Sequence, residues 1–181
     1  MNLPPEWTDT FSLVHQRLVL IIFDIQKCPV ALEEIYRVLR PGAWVQLAET
    51  TAWVEKEYPG MPCMEKLATL FRRVTKSRNL HTDCADDMPR MLEEAGFVDI
   101  RRESRMQCMG KWAGENGVAM RDNHVGVLRG MKTPILKAGG FGHVSTEAEY
   151  EALLEGLGRE WDEVPGTMLE FVVCCARKPL H

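Results

Sequence analysis

The chain has 181 residues, 45% of them hydrophobic and 8% aromatic, which is the composition of a folded domain rather than of a disordered segment. Its formal net charge is -4, so it lacks the basic field that holds DNA or RNA. The longest apolar run, Leu18 to Phe23, is too short to span a bilayer. We therefore expect one soluble domain over residues 1–181, with neither a nucleic acid nor a membrane as partner.

Six cysteines occur, and none of them forms a C-x-x-C pair. They are Cys28, Cys63, Cys84, Cys108, Cys174 and Cys175. No signal peptide precedes them, so reduced thiols in a cytoplasmic protein are expected. The spacing predicts neither a disulfide framework nor a metal site.

The first predicted elements are a loop and a strand. Pro4-Pro5 forces an extended or turning backbone, so Met1 to Thr10 is predicted to be a loop. The apolar segment Phe11 to Val14 predicts a strand. A polar island, His15-Gln16-Arg17, follows it directly. Its charged and titratable side chains either reach a site at the end of the strand or simply solvate that end.

A helix, a sharp stop and a buried strand are predicted next. Apolar residues recur at three- and four-residue spacing from Pro29 to Arg40, which predicts an amphipathic helix. Pro41-Gly42 is predicted to end it. Trp44 to Ala48 is rich in strand formers, and Glu49 lies where this strand would end. Ligands bind at that edge in open α/β sheets, so Glu49 is a candidate site residue.

Two further helices follow. Met64 to Lys76 has the apolar spacing of an amphipathic helix. The next helix carries Met88 to Ala95, is capped by Asp83 or by Asp86-Asp87, and ends at Gly96.

Two strands and a long insertion complete the chain. Phe97 to Met106 alternates apolar and charged residues, which predicts a strand near a sheet edge. Met168 to Ala176 is a near-continuous apolar run and predicts a central strand. Residues 107–166 between them contain helical patterns, including one over Glu147 to Trp161, and an insertion of this size predicts a lid or binding wall. We predict one mixed sheet with the four strands in the order first, second, fourth, third.

These segments also carry a family resemblance. Arg37 to Glu49, R-V-L-R-P-G-A-W-V-Q-L-A-E, resembles the "RVLKPGGW" segment before the fifth strand of class I S-adenosylmethionine (SAM) dependent methyltransferases. Together with three other blocks it resembles, more narrowly, the LaeA-like methyltransferases of fungal secondary metabolism. Those blocks are Leu3-Pro4-Pro5-Glu6-Trp7, Phe11 to Leu18 and Leu92 to Phe97. Ser12, where the family usually has Asp, and Ala43, where it usually has Gly, depart from the pattern.

The resemblance covers Leu3 to Lys178 but corresponds only to the second half of a whole enzyme of that family. It implies a partial Rossmann-like α/β fold, with a mixed sheet of about four strands, flanking helices and a helical insertion that shapes the substrate pocket. His15 and Arg17 match the H-x-R element at the end of the family's fourth strand, near cofactor and substrate. The last strand matches the seventh, which inserts antiparallel between the fifth and sixth.

A SAM site of this class needs a glycine-rich turn and an acidic residue for the ribose hydroxyls, and the sequence contains neither before Trp7. Losing these contacts weakens binding on the order of a hundred- to ten-thousand-fold. We therefore expect weak or absent SAM binding by this chain alone. The first strand would also lack its neighbour, so self-association or a companion chain at its open edge is expected.

Two functions follow from the family resemblance and from the absence of the SAM-binding motif. The first is transfer of a methyl group from SAM to a small-molecule metabolite, with His15 as the general base and Arg17 and Glu49 as binding residues. The second is a truncated pseudo-methyltransferase that acts without SAM, as a metabolite-binding protein, a cyclase or isomerase, or a partner subunit. The remaining histidines lack close Asp or Cys partners in helical register and are assigned no role. They are His81, His124, His143 and His181.

Overall fold

The computed structural model describes residues 2–19 and 24–180, and it divides into two compact units. The first, called the sheet unit here, comprises Met1–Ala52, Arg78–Arg105 and Glu170–His181. The second, called the helical unit, comprises Trp53–Ser77 and Met106–Leu169. Most of the apolar run Leu18 to Phe23 lies outside the described residues, as does His181. Within the described residues, no helix combines the length and apolarity that a membrane span needs.

In the part of the chain that the structure describes, four strands form one mixed sheet: β1 (Phe11–Arg17), β2 (Leu39–Thr50), β3 (Val98–Cys108) and β4 (Met168–Arg177). Their order is β1-β2-β4-β3, which confirms the predicted order. β1 pairs parallel with β2, and β4 pairs antiparallel with β2. The apolar terminal strand β4 is therefore central, where both of its edges are paired.

The α-helices of the described chain are α1 (Lys27–Val38), α2 (Pro62–Ser77), α3 (Cys84–Glu94), α4 (Gly114–Gly130), α5 (Lys132–Lys137) and α6 (Glu147–Glu163). Residues 107–166 are largely helical, as their sequence pattern indicates. That this segment acts as a lid, and that the chain is one domain, stay predictions.

One face of the sheet carries the core of the sheet unit. Helices α1 and α3 supply its apolar cover, and burial of this surface at roughly 25 cal/mol per Å² is the main stabilising contribution. The buried residues include Val45, Leu47, Val172 and Cys174 from the strands and Leu32, Ile35, Met88 and Leu92 from the helices. On the opposite face, Leu13 of β1 is 57% exposed, so the two faces of this strand differ sharply.

The predicted end of the first helix at Arg40 is wrong, because α1 ends at Val38 and Leu39 already has an extended backbone. Pro41-Gly42 therefore lies within β2 rather than at a helix stop. The cause is tertiary. The Val38 carbonyl accepts a hydrogen bond from the Thr10 amide at 2.9 Å, so the helix end is satisfied by the segment that enters β1.

Lys178, just after β4, binds the end of α1. Its ammonium nitrogen Nζ donates to the carbonyl oxygens of Tyr36 at 2.9 Å and Leu39 at 2.8 Å, and to Asp9 Oδ1 at 2.8 Å. It also lies 4.7 Å from the centre of the Tyr36 ring. A cation at the carbonyl end of a helix complements the helix dipole. One nearly buried ammonium therefore joins the N-terminal loop, α1, β2 and the C-terminal segment.

Replacing Lys178 by Met keeps the apolar stem and removes the ammonium. Hydrogen bonds to charged groups are worth about 1.5 to 3 kcal/mol, so we expect the free energy of unfolding to fall by about that much. Urea unfolding followed by circular dichroism measures this change. Lys27→Met, an exposed position on α1, is the matched control and should be nearly neutral; equal losses in both variants would contradict the assigned role.

Glu34 on α1 holds the N-terminal loop. Its carboxylate accepts hydrogen bonds from the Leu3 amide at 2.8 Å and from the guanidinium of Arg37 at 2.9 Å. These contacts, that from Arg37 foremost, lower the pKa of Glu34 from its ordinary value to about 2. The ionised form is thus favoured in the folded chain.

A depressed carboxyl pKa gives stability that is present above the ordinary value of 4.5 and is lost as the pH falls toward about 2. Glu34→Gln should therefore be destabilising at neutral pH, and the difference from the unmodified chain should shrink across this acidic interval. Urea midpoints measured at several pH values test it. Glu33→Gln, the exposed neighbour, should show no such pH dependence.

Candidate functional site

The carboxyl ends of β1 and β2 lie side by side because the two strands are parallel. The register pairs His15 with Gln46 and Arg17 with Ala48. The predicted strand Phe11 to Val14 is too short, since β1 continues to Arg17. His15 and Arg17 therefore belong to the strand itself, where the pleat fixes the direction of their side chains.

The pleat divides the three predicted site residues between the two faces of the sheet. His15 and Arg17 alternate with Val14, which packs against the core, so they project from the opposite face. Glu49 has the same parity in β2 as the core residue Leu47 and lies on the helix-covered face. The structure thus brings His15 and Arg17 together and places Glu49 on the other side of the same sheet edge.

His15 begins a row of polar contacts across three strands. Its Nδ1 lies 2.9 Å from Gln46 Oε1, and since an amide oxygen only accepts, Nδ1 must carry the proton. Gln46 Nε2 in turn donates to the sulfur of Cys175 at 3.5 Å. In the tautomer that this contact selects, the lone pair lies on Nε2 of an exposed side chain. Nε2 is thus the nitrogen that can accept a proton from a ligand.

Arg17 closes β1 with an exposed side chain. None of the residues in 2–19 and 24–180 pairs with its guanidinium through a hydrogen bond or an ion pair. Its charge is thus available to a polar or anionic ligand at the end of the strand.

Glu49 is only 1% exposed. Its Oε1 accepts the amide hydrogen of Val19 at 2.9 Å, which fixes the chain two residues beyond Arg17. Burial first, and the negative charge of Glu49 second, raise the pKa of the thiols of Cys28 and Cys84. Both thiols are therefore protonated at neutral pH and are not nucleophiles.

His81 pairs with Asp87, a partner that a search in helical register does not find. His81 Nε2 lies 2.8 Å from Asp87 Oδ2, and the histidine is only 6% exposed. Burial acts to raise the pKa of Asp87, but hydrogen bonds from His81 and Arg90 outweigh it and lower that pKa. The pair spans the turn before α3, outside helical register, and Asp87 was interpreted only as a possible helix cap.

The residues at this sheet edge do not make a SAM site by themselves. A ribose needs an accessible carboxylate, whereas Glu49 is buried and already accepts an amide hydrogen. His15 and Arg17, on the other face, carry no negative charge. No group of ligating side chains among the described residues could hold a metal ion.

Comparison with known proteins finds fungal methyltransferases. N-methyltransferase verN of Clonostachys rogersoniana is 33% identical over 113 residues, which cover 61% of this chain and 37% of verN. N-methyltransferase sirN of Leptosphaeria maculans is 24% identical over 181 residues, covering 97% of this chain and 62% of sirN. Methyltransferase psoC of Aspergillus fumigatus is 23% identical over 175 residues, with the same two coverages of 97% and 62%. No protein-family model matches the chain.

Solved structures share the fold. The [4+2]-cyclase SpnF superposes with a TM-score of 0.51 at 16% identity, over 99% of this chain and 54% of SpnF. The cyclopropane synthase MmaA2 from Mycobacterium tuberculosis gives a TM-score of 0.50 at 12% identity, over 94% and 57%. At such identities the likeness establishes the fold alone. The fold is that of Rossmann-like SAM-dependent methyltransferases.

The sequence matches and the fold thus agree on similarity to class I methyltransferases. The chain spans between 37% and 62% of the length of these curated relatives. The activity of the whole relatives therefore enters below only as a proposal.

Proposed function

We propose that this chain serves SAM-dependent methylation of a small-molecule metabolite of fungal secondary metabolism, in the manner of the LaeA-like methyltransferases. The observation that carries the proposal is the match to named methyltransferases, which for sirN covers 97% of this chain. Two of the three relatives are named N-methyltransferases, so we propose nitrogen as the methyl acceptor.

In this proposal, the row of polar contacts that begins at His15, on the open face of the sheet, accepts the proton that methylation releases. An N–H group that is methylated to a neutral product releases a proton, and His15 Nε2 holds the lone pair that accepts this proton. Gln46 fixes the tautomer through Nδ1 at 2.9 Å. Arg17 orients polar groups of the metabolite. Glu49 contributes from the other face by holding the Val19 amide.

The alternative of a pseudo-methyltransferase without SAM is less favoured, because the relatives are named for methyl transfer. SpnF is named a cyclase, but its likeness at 16% identity concerns the fold and says nothing about cyclisation by this chain.

The open edge of β1 leads us to propose that another polypeptide segment pairs with this strand. Within the described chain, β1 is the outermost strand and pairs only with β2. The preceding loop runs toward α1, where the Leu3 amide binds Glu34, and does not pair with β1. An unpaired apolar edge invites addition of a strand, and such a strand would also bring residues that complete the cofactor site.

The purified chain alone should therefore bind SAM weakly and should self-associate. The physical reasons are the absent glycine-rich turn and the unpaired backbone of β1. Size-exclusion chromatography with light scattering measures the association, and calorimetry measures SAM binding. A monomer that binds SAM with micromolar affinity would contradict the need for a companion.

Methylation itself is best tested in the organism that makes the protein. Deleting the gene should leave a metabolite lighter by one methylene group, detected by mass spectrometry. Re-expression of the unmodified chain should restore the heavier product, while His15→Gln should not, because Gln cannot accept the proton. Arg17→Ala should restore it only in part, through weaker binding.

Ser12→Ala, an exposed position on the same strand, is the matched control and should restore the product fully. An unchanged set of metabolites after deletion would refute methyl transfer. Full restoration by both the His15 and the Arg17 variants would refute their roles while leaving the activity intact.

A further inference from the structure

The row of polar contacts on the open face of the sheet consists of His15, Gln46 and Cys175, and it ends at a cysteine. The strand pairing places Gln46 of β2 between His15 of β1 and Cys175 of β4. The Gln46 side chain is partly buried and makes two hydrogen bonds within the described chain, one to each of these neighbours. The orientation of its amide group therefore depends on both ends of the row.

The amide of Gln46 can join the two ends in either of two directions. In the direction that the structure shows, Oε1 accepts from His15 Nδ1 at 2.9 Å and Nε2 donates to Cys175 Sγ at 3.5 Å. Rotation of the amide by half a turn exchanges its oxygen and its nitrogen. Nε2 would then donate to an unprotonated Nδ1, and the ring of His15 would carry its hydrogen on its own Nε2. The two directions thus correspond to the two tautomers of the neutral ring.

Only the first direction suits a histidine that accepts a proton. When His15 Nε2 takes up a proton, both ring nitrogens carry hydrogen, and Nδ1 still donates to Gln46 Oε1 in a hydrogen bond that the new charge strengthens. In the reversed direction the lone pair lies on Nδ1 and is already engaged by Gln46, so protonation there would break that contact. Proton acceptance by His15 therefore requires the amide nitrogen of Gln46 to face Cys175.

The sulfur of Cys175 supplies the acceptor that this direction needs. Its neighbour Cys174 belongs to the core, so the pleat places Cys175 on the open face beside Gln46. We infer that Cys175 is a positioning residue for His15. Its sulfur accepts from Gln46, holds the amide oxygen toward His15, and thereby keeps the lone pair of His15 on Nε2. Only the use of that lone pair in methylation rests on the proposed function.

Substitutions at Cys175 test the accepting role of its sulfur. Cys175→Ala removes the acceptor, whereas Cys175→Met keeps a sulfur acceptor without the thiol hydrogen. Gln46→Leu removes the amide and shows the tautomer ratio of a ring without this partner. Long-range nitrogen-correlated NMR of the imidazole rings measures the ratio at a pH where His15 is neutral, and the His15→Gln variant assigns the relevant signals.

The unmodified chain should show mainly the tautomer with hydrogen on Nδ1. Cys175→Ala should lower the ratio of this tautomer to the other about threefold, less than the about fivefold change that one ordinary hydrogen bond gives, because sulfur is a weak acceptor. Cys175→Met should keep the ratio of the unmodified chain. Gln46→Leu should lower it at least as far as Cys175→Ala does.

Cys63→Ala is the matched control, since Cys63 is a partly buried cysteine of the helical unit, and it should leave the ratio unchanged. Melting temperatures show that each variant folds, and Cys175→Val serves as the variant without an acceptor if the alanine variant does not. The inference is overturned if removal of the acceptor leaves the ratio unchanged, if Cys175→Met lowers it equally, or if Cys63→Ala lowers it as well. These spectra need no SAM, so a failure of methyl transfer leaves the tautomer ratios intact.

Discussion

The ammonium of Lys178 ties the end of α1 to the N-terminal loop and to the segment after β4. Alone, the sequence around Pro41-Gly42 favours a helix that runs to Arg40. Lys178 instead occupies the carbonyls of Tyr36 and Leu39, and the Thr10 amide occupies that of Val38. The chain therefore turns into β2 earlier, and the strand gains length at its start. The backbone of the same lysine donates to the Ala43 carbonyl at 2.9 Å, which continues the pairing of the C-terminal segment with β2.

This register has chemical consequences at the other end of the strands. Because β1 and β2 are parallel and in fixed register, His15 meets Gln46 rather than a neighbouring apolar residue. The antiparallel pairing of β2 with β4 then places Cys175 beside Gln46. A tautomer of His15 is thus selected by three strands acting together, although no two of these residues are neighbours in sequence. The same pleat places Glu49 on the covered face, where its carboxylate accepts the Val19 amide hydrogen just after β1.

The sequence predicts those features of the fold that depend on local interactions. The strands and their order follow from periodicity and from the apolar run of Met168 to Ala176, because a strand that is buried on both faces consists mostly of apolar residues. The end of α1 could not be predicted, since Lys178 contacts it across 139 to 142 residues of chain. The pairing of His81 with Asp87 could not be predicted for a related reason. A turn lies between the two residues, and hydrophobic periodicity gives no information about turns. Assigning His15 and Glu49 to faces of the sheet requires the register of the strands, which the hydrophobic pattern alone does not give.

The two polar systems of this chain differ in how their hydrogen bonds are completed. Along the open face of the sheet, His15 and Gln46 satisfy one another and leave a lone pair in contact with solvent. In the helical unit, Gln107 Oε1 and Trp112 Nε1 are an acceptor and a donor that are both buried without a partner in the described chain. Water can solvate the first arrangement at little cost, because its lone pair is exposed. The second arrangement carries a free-energy cost, because its two atoms have given up their hydrogen bonds to water.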